Sequence, residues 1–245
     1  MSQLAEFDLQ QKTVEQELTE SRREELTDMS LIVAAHNGKT IVVAADTYMY
    51  EGTGKIYRTG NEVKLRTVNE GRWVVAYSGK TTPRLVWDYI DAAKITFDQD
   101  LRIGIFQCVQ KFGEIFKESR MEPDSQMLLV GFSGDVPYIY KWSIGQPSPA
   151  GGDTPPWAAI GCGVDVALHF IWNSQPLEEL SAEELKRITY FSVAEIARSD
   201  NRVGKPIDLA VCEQGKARIL RREDSLDLDA KAEAAHQSIY RTIRK

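Results

Sequence analysis

The chain is poor in everything that would mark a metalloprotein, a membrane protein or a nucleic-acid binder. It has only three cysteines among 245 residues. Cys108, Cys162 and Cys212 lie far apart in apolar surroundings, without the paired spacing of a structural zinc site or a disulfide framework, so they read as reduced core thiols. That thiol usage points to the cytoplasm. His36, His169 and His236 are the only histidines, and their separations suit no metal, so neither metal nor cofactor is expected. No apolar run approaches the roughly 18 residues of a membrane span, and Met1 to Glu25 is charged and lacks the apolar core of an export signal. Basic residues are outnumbered, with a formal net charge of −6 and a pI near 5.3. This argues against nucleic acid as a partner, because phosphate binding needs a concentrated basic surface. Ser78-Gly79-Lys80-Thr81 lacks the first glycine of a phosphate-binding loop.

What the chain does have is a succession of hairpin signals. Leu31 to Ala35 and Thr40 to Ala45 are short apolar runs hinged at Asn37-Gly38 and closed by Asp46. Asn-Gly between such runs predicts a hairpin with positive φ at both turn positions. Strands are also expected from Glu62 and over Trp73 to Ala76, across Asn69-Glu70-Gly71. Two further hairpins are expected, Met127 to Phe132 with Val136 to Ser143, and Ile207 to Glu213 with Lys216 to Leu220. Trp157 to Ile160 reads as a single strand running into Gly161-Cys162-Gly163.

Helices fall between the strands in consecutive runs. Thr82-Pro83 opens a predicted helix over Arg84 to Phe97, and a second covers Leu101 to Ser119. Val164 to Asn173 forms another, and Ser181 with Glu184 is a capping box for a helix through Arg198. A polar helix over Asp229 to Arg244 closes the chain. Gln3 to Leu26 has no Gly or Pro and carries Leu4, Phe7, Val14 and Leu18 at loosely helical intervals, predicting a thin amphipathic helix that must dock on a neighbour to be stable.

Hairpins joined by consecutive helices predict antiparallel sheets with helices segregated outside, since parallel strands need a crossover helix each time. The expected class is α+β, a four-layer αββα sandwich of two antiparallel sheets flanked by helix pairs. The expected divisions are an N-terminal helix over 1–26, a main domain over 27–224 and a C-terminal helix over 225–245.

In order and spacing, several segments resemble the proteasome-type subunits of the N-terminal-nucleophile hydrolase superfamily. Ser30 to Asp46 is similar to the family's first hairpin, Val63-Lys64-Leu65 to the strand carrying its lysine, and Ala76-Tyr77-Ser78-Gly79 to the strand end where its oxyanion hole forms. Ala159 to Gly163 is similar to its Gly-Ser-Gly segment. Ala197-Arg198-Ser199-Asp200, with Gly204 and Ile207 to Val211, resembles its helix end and last hairpin.

The resemblance implies the αββα architecture, ring assembly with itself or related subunits, and protein or peptide substrates. It also implies a chemistry in which a terminal hydroxyl is activated by its own α-amine, with a lysine keeping the amine neutral and two carboxylates orienting the pair. Asp46, Lys64 and Asp200 match the supporting positions. Without the resemblance they read as two turn aspartates and an outward-facing lysine.

The nucleophile position departs from the family pattern. Counting back from Asn37-Gly38, it falls on Met29, or on Asp28 with a longer hairpin. Thr27 and Ser30 flank it and become terminal hydroxyls only if the chain is processed. A one-residue shift along a strand also turns a side chain to the opposite face. The oxyanion glycine falls on Ala76 and an assisting serine on Val203. An unprocessed leading helix is closer to the non-catalytic α-type subunits, although their Gly-Arg and Gln-Val-Glu-Tyr-Ala elements are missing. The expectation is therefore a ring-forming, structural or gating subunit of a protein-degradation complex without an intact nucleophile. The alternative is a self-processed threonine or serine peptidase.

Overall fold

A computed structural model describes residues 30–51, 55–58, 64–68, 70–79, 126–143, 155–173, 175–220 and 222–243. The expected helices over Gln3 to Leu26, Arg84 to Phe97 and Leu101 to Ser119 lie outside these residues, as do Thr27, Asp28 and Met29.

The first hairpin pairs β1 (Leu31–His36) with β2 (Thr40–Asp46), Ile32 opposite Ala45 and His36 opposite Ile41. Its turn differs from the sequence expectation. Gly38 has a φ of 89°, but Asn37 does not share a positive φ. The Asn37 side-chain oxygen instead accepts the Lys39 and Thr40 N–H groups at 3.0 and 2.7 Å, an Asx turn that folds the chain with a side chain rather than a second left-handed residue.

β3 (Tyr48–Glu51) and β4 (Lys55–Arg58) form a small antiparallel ribbon outside the strands that the sequence predicts. Its aromatic and β-branched residues nevertheless suit strands. β5 (Leu65–Val68), β6 (Trp73–Ser78), β7 (Gln126–Ser133) and β8 (Val136–Ser143) make a four-stranded sheet in sequential order. β9 (Trp157–Gly161), β10 (Ile207–Glu213) and β11 (Lys216–Ile219) join the first hairpin in a five-stranded sheet ordered β11-β10-β2-β1-β9. Every pairing in both sheets is antiparallel.

Alternation along β1 assigns its two faces. Ile32 and Ala34 point into a core shared with Leu65, Val74, Ala76, Leu128 and Val130 of the second sheet. Leu31, Val33 and Ala35 face a second core built with the helices. Those helices are α1 (Val164–Trp172), α2 (Ala182–Ser199) and α3 (Arg222–Ile243). The described residues thus give helices, sheet and sheet as stacked layers, an α+β sandwich.

α2 starts as the sequence predicts, with the Glu184 N–H donating to Ser181 Oγ and the Ser181 N–H to Glu184 Oε2. α3 begins at Arg222 rather than Asp229. Ser225, Leu228 and Ala232 are buried at helical spacing, a stripe hidden in a polar composition. Among the described residues no helix is long and apolar enough to cross a membrane.

Candidate functional site

At one end of the five-stranded sheet, β2 finishes on Asp46, between the start of β1 and Ile207 at the start of β10. Asp46 is fully buried, and its carboxylate is saturated by four donors. Oδ1 accepts the Lys64 ammonium at 2.7 Å and the Leu31 N–H at 2.9 Å. Oδ2 accepts the Tyr48 N–H at 3.0 Å and the Gly204 N–H at 3.3 Å. Burial pushes the Asp46 carboxyl above its ordinary range, against the opposing pull of Lys64 and the N–H donors.

Lys64 is itself only 2% exposed, so the outward-facing reading of this lysine does not describe its position. It stands just before β5, where its carbonyl accepts the Tyr77 N–H of β6 at 3.1 Å. The second sheet therefore delivers the cation, and the first sheet delivers its counter-ion.

Asp200 follows the last residue of α2, its N–H donating to the Ile196 carbonyl at 2.8 Å. Its carboxylate does not hydrogen-bond to Lys64 or Asp46. It is gripped by Arg202, whose Nη2 donates at 2.7 Å, Nε at 2.9 Å and backbone N–H at 2.9 Å. These hydrogen bonds hold Asp200 below the usual carboxylate range. The turn continues through Val203, buried at 1% exposure, to Gly204. The Gly204 carbonyl accepts the Thr47 N–H, and its Cα lies against the Tyr48 ring.

The third wall is the turn after β9. Gly161 has a φ of 93° and lies opposite Leu31. A Cβ there would come 1.7 Å from the Ser30 carbonyl oxygen and 3.2 Å from Ser78 Oγ. Its N–H donates to Gln126 Oε1 at 3.1 Å, a bridge from β7. The Cys162 N–H donates to the Ser30 carbonyl at 2.7 Å. Burial first, and then the charge of Asp200, push the Cys162 thiol up to about 12.

Ser30 is thus closely held, with 6% exposure. It precedes Leu31, which faces the helices, and shares parity with Ile32, which faces the second sheet. Extending the alternation by one residue places Ser30 on the face of Ile32, toward the second sheet that carries Lys64. Ala76 lies mid-strand in β6, between Leu65 and Leu128.

The arrangement gathers Asp46 and Lys64 in one buried pair beside Ser30, with Asp200 in a separate pair on the adjoining turn. Gln126 and Arg202 are additions that the sequence reading did not select. Arg202 had a local signal, since an aspartate two residues before an arginine at a helix end favours an Asx turn. Gln126 had none, because its partner is in another sheet. Among the described residues, no group of three or more His, Cys, Asp or Glu side chains could hold a metal ion.

No protein-family model matches the chain, and no curated protein matches it. Solved structures do. The Gly-1 mutant of Anbu from Hyphomicrobium sp. strain MC1 superposes with a TM-score of 0.70 at 17% identity, over 88% of this chain and 97% of that one. Anbu, an ancestral beta-subunit, from Yersinia bercovieri gives 0.67 at 15% over the same shares. BPH of Thiobacillus denitrificans, solved in complex with epoxomicin, gives 0.59 at 21%, over 75% of this chain and 98% of that one. The fold is that of the proteasome-type N-terminal-nucleophile hydrolases.

Proposed function

We propose that, on this proteasome-type fold, the protein is a hydrolase subunit whose nucleophile is Ser30, exposed by cleavage of the Met29–Ser30 bond, and which assembles with copies of itself or related subunits in the cytoplasm. The observation that carries the reading is the Asp46 carboxylate, which holds the Lys64 ammonium and the Leu31 N–H on one oxygen. That shared oxygen fixes a buried cation at the head of β1, one residue from a hydroxyl. Burying an ion pair is costly and adds little stability over an apolar pair, so its retention at this spot argues for a chemical role.

In cleavage, Ser30 Oγ attacks the Met29 carbonyl carbon. The C–N bond breaks and its nitrogen takes up the Oγ proton to become the Ser30 α-amine, leaving an ester that water hydrolyses to the carboxylate of residues 1–29 and free Ser30. In turnover that amine takes the Oγ proton as Oγ attacks a peptide carbonyl and returns it to the leaving amine, and water then hydrolyses the resulting ester to release the acyl product and restore the Ser30 hydroxyl. The Lys64 charge disfavours the ammonium form of its neighbour and so keeps the base neutral. Residues 1–29 are then removed, and the segment 1–26 assists assembly before its release.

Intact-mass measurement of the purified protein tests this. The expected mature chain begins at Ser30, with Ser30→Ala left unprocessed. A wild-type chain that keeps residues 1–29 overturns the proposal.

The grip of Arg202 on Asp200, with Val203 where a hydroxyl would assist, favours a second reading, in which the subunit is structural or gating and has no nucleophile. The same measurement separates the two, because this reading leaves residues 1–29 attached. Thr27 becomes the terminal residue only if cleavage follows Leu26.

A further inference from the structure

We propose that Arg202 sets the pH range of the site by neutralising Asp200, so that a freed Ser30 amine has no unpaired carboxylate to hold it as an ammonium. The inference rests on the proposed function and concerns a positioning residue rather than a group that touches substrate.

Hydrogen bonds bring the turn after Asp200 and the turn after β9 to the head of β1. The Asp46 carboxylate spans the Leu31 N–H on one side and the Gly204 N–H on the other. The Ser30 carbonyl is bonded to the Cys162 N–H. Besides burial, the charges of Asp200 and Asp46 push the Cys162 thiol up and that of Arg202 pulls it down.

Among the described residues, the groups near this point come from several elements. β2 supplies Asp46, the segment before β5 supplies Lys64, and the turn after α2 supplies Asp200 and Arg202. The turn after β9 supplies Cys162, whose thiol at about 12 stays neutral at physiological pH. Tyr48 contributes its ring against Gly204. Lys205 is drawn away to Asp229 at 2.5 Å. Among the described residues, the charges at this point stand as two pairs, Lys64 with Asp46 and Arg202 with Asp200, before any amine is added. A terminal ammonium would be an additional, uncompensated cation in a buried place, so the neutral base is favoured and its pKa lies below the ordinary α-amine value of about 7.8.

Removing the Arg202 charge frees the Asp200 carboxylate to stabilise the ammonium. The pH dependence of Ser30 labelling by a β-lactone, read by mass on processed protein, tests this. In R202Q the acid-limb midpoint is expected to rise by about one pH unit, the lower end of the range for an opposite charge nearby, because Arg202 is partly solvent-screened. R202K keeps the charge and restores most of the wild-type midpoint. D200N lowers the midpoint, and D200N with R202Q returns it toward wild type. A processed, labelled protein whose midpoint is unmoved in both R202Q and D200N overturns the role of Arg202 alone. A wild-type chain that keeps residues 1–29 and stays unlabelled at every pH overturns the proposed function along with it.

Discussion

Replacing Lys64 by methionine removes one half of a fully buried ion pair and leaves the other behind. Lys64 and Asp46 are 2% and 0% exposed, so solvent cannot take over the lost partner. Breaking such a pair costs about 3–5 kcal/mol. Three backbone N–H groups from Leu31, Tyr48 and Gly204 still reach the carboxylate, which places the expected loss toward about 3 kcal/mol at pH 8. The loss carries a pH signature. Asp46 already sits above its ordinary range through burial, with Lys64 the main opposing influence, so in K64M its folded-state pKa rises further. A carboxyl whose pKa is higher folded than unfolded binds its proton more tightly in the folded state. Its stabilising contribution is therefore full at low pH and lost as pH rises through the folded value. The deficit of K64M relative to wild type should shrink on going from pH 8 to pH 5, by at most about 1.4 kcal/mol per pH unit. Urea unfolding of both proteins at the two pH values measures it, and K64M with D46N should recover part of the loss at pH 8. A deficit equal at both pH values, or a K64M protein as stable as wild type, would refute the reasoning.

Gly161→Ala puts a methyl group 1.7 Å from the Ser30 carbonyl oxygen at a φ of 93°, a backbone clash added to a strained conformation. A loss of about 3 kcal/mol or more in urea unfolding is expected. Gly38→Ala is the control, because its φ is 89° but nothing lies within 4 Å; it should cost only about 1 kcal/mol, and equal losses would contradict the steric argument. Cys162 and Cys212 are both pushed up to about 12, chiefly by burial. At pH 8 about one thiol in ten thousand is then ionised. Iodoacetamide should leave the peptides carrying these residues unmodified in native protein and alkylate them in guanidinium. Modification of native Cys162 at the rate of a free thiol would count against the burial described.

The parts of the fold legible in the sequence are those decided within a few residues. Alternating apolar runs set β1, β2, β7, β8, β10 and β11, and the Ser181–Glu184 box set the start of α2, because both signals act over one strand or one helical turn. The β3–β4 ribbon, two strands of four residues each, lies outside the strands the sequence predicts, and the first turns of α3 are hidden because Ser225, Leu228 and Ala232 are spread thinly among charges.

The site divides in the same way. Asp46, Lys64 and Asp200 stand out by their order along the chain, but only tertiary packing brings Lys64 from the second sheet onto Asp46, whereas the Asp200–Arg202 pair closes within two residues. The head of β1 shows why local counting is fragile here. Counted from Asn37-Gly38 it falls on Met29, and the length of that turn depends on how an asparagine side chain bonds its own backbone. Counted from Asp46 it rests on a 2.9 Å hydrogen bond to the Leu31 N–H, which fixes the register from the sheet itself. Because one residue along a strand exchanges the two faces of the sheet, the proposal of Ser30 rather than Met29 rests on that bond. The mature amino terminus is therefore the readout on which the register and the chemistry are tested together.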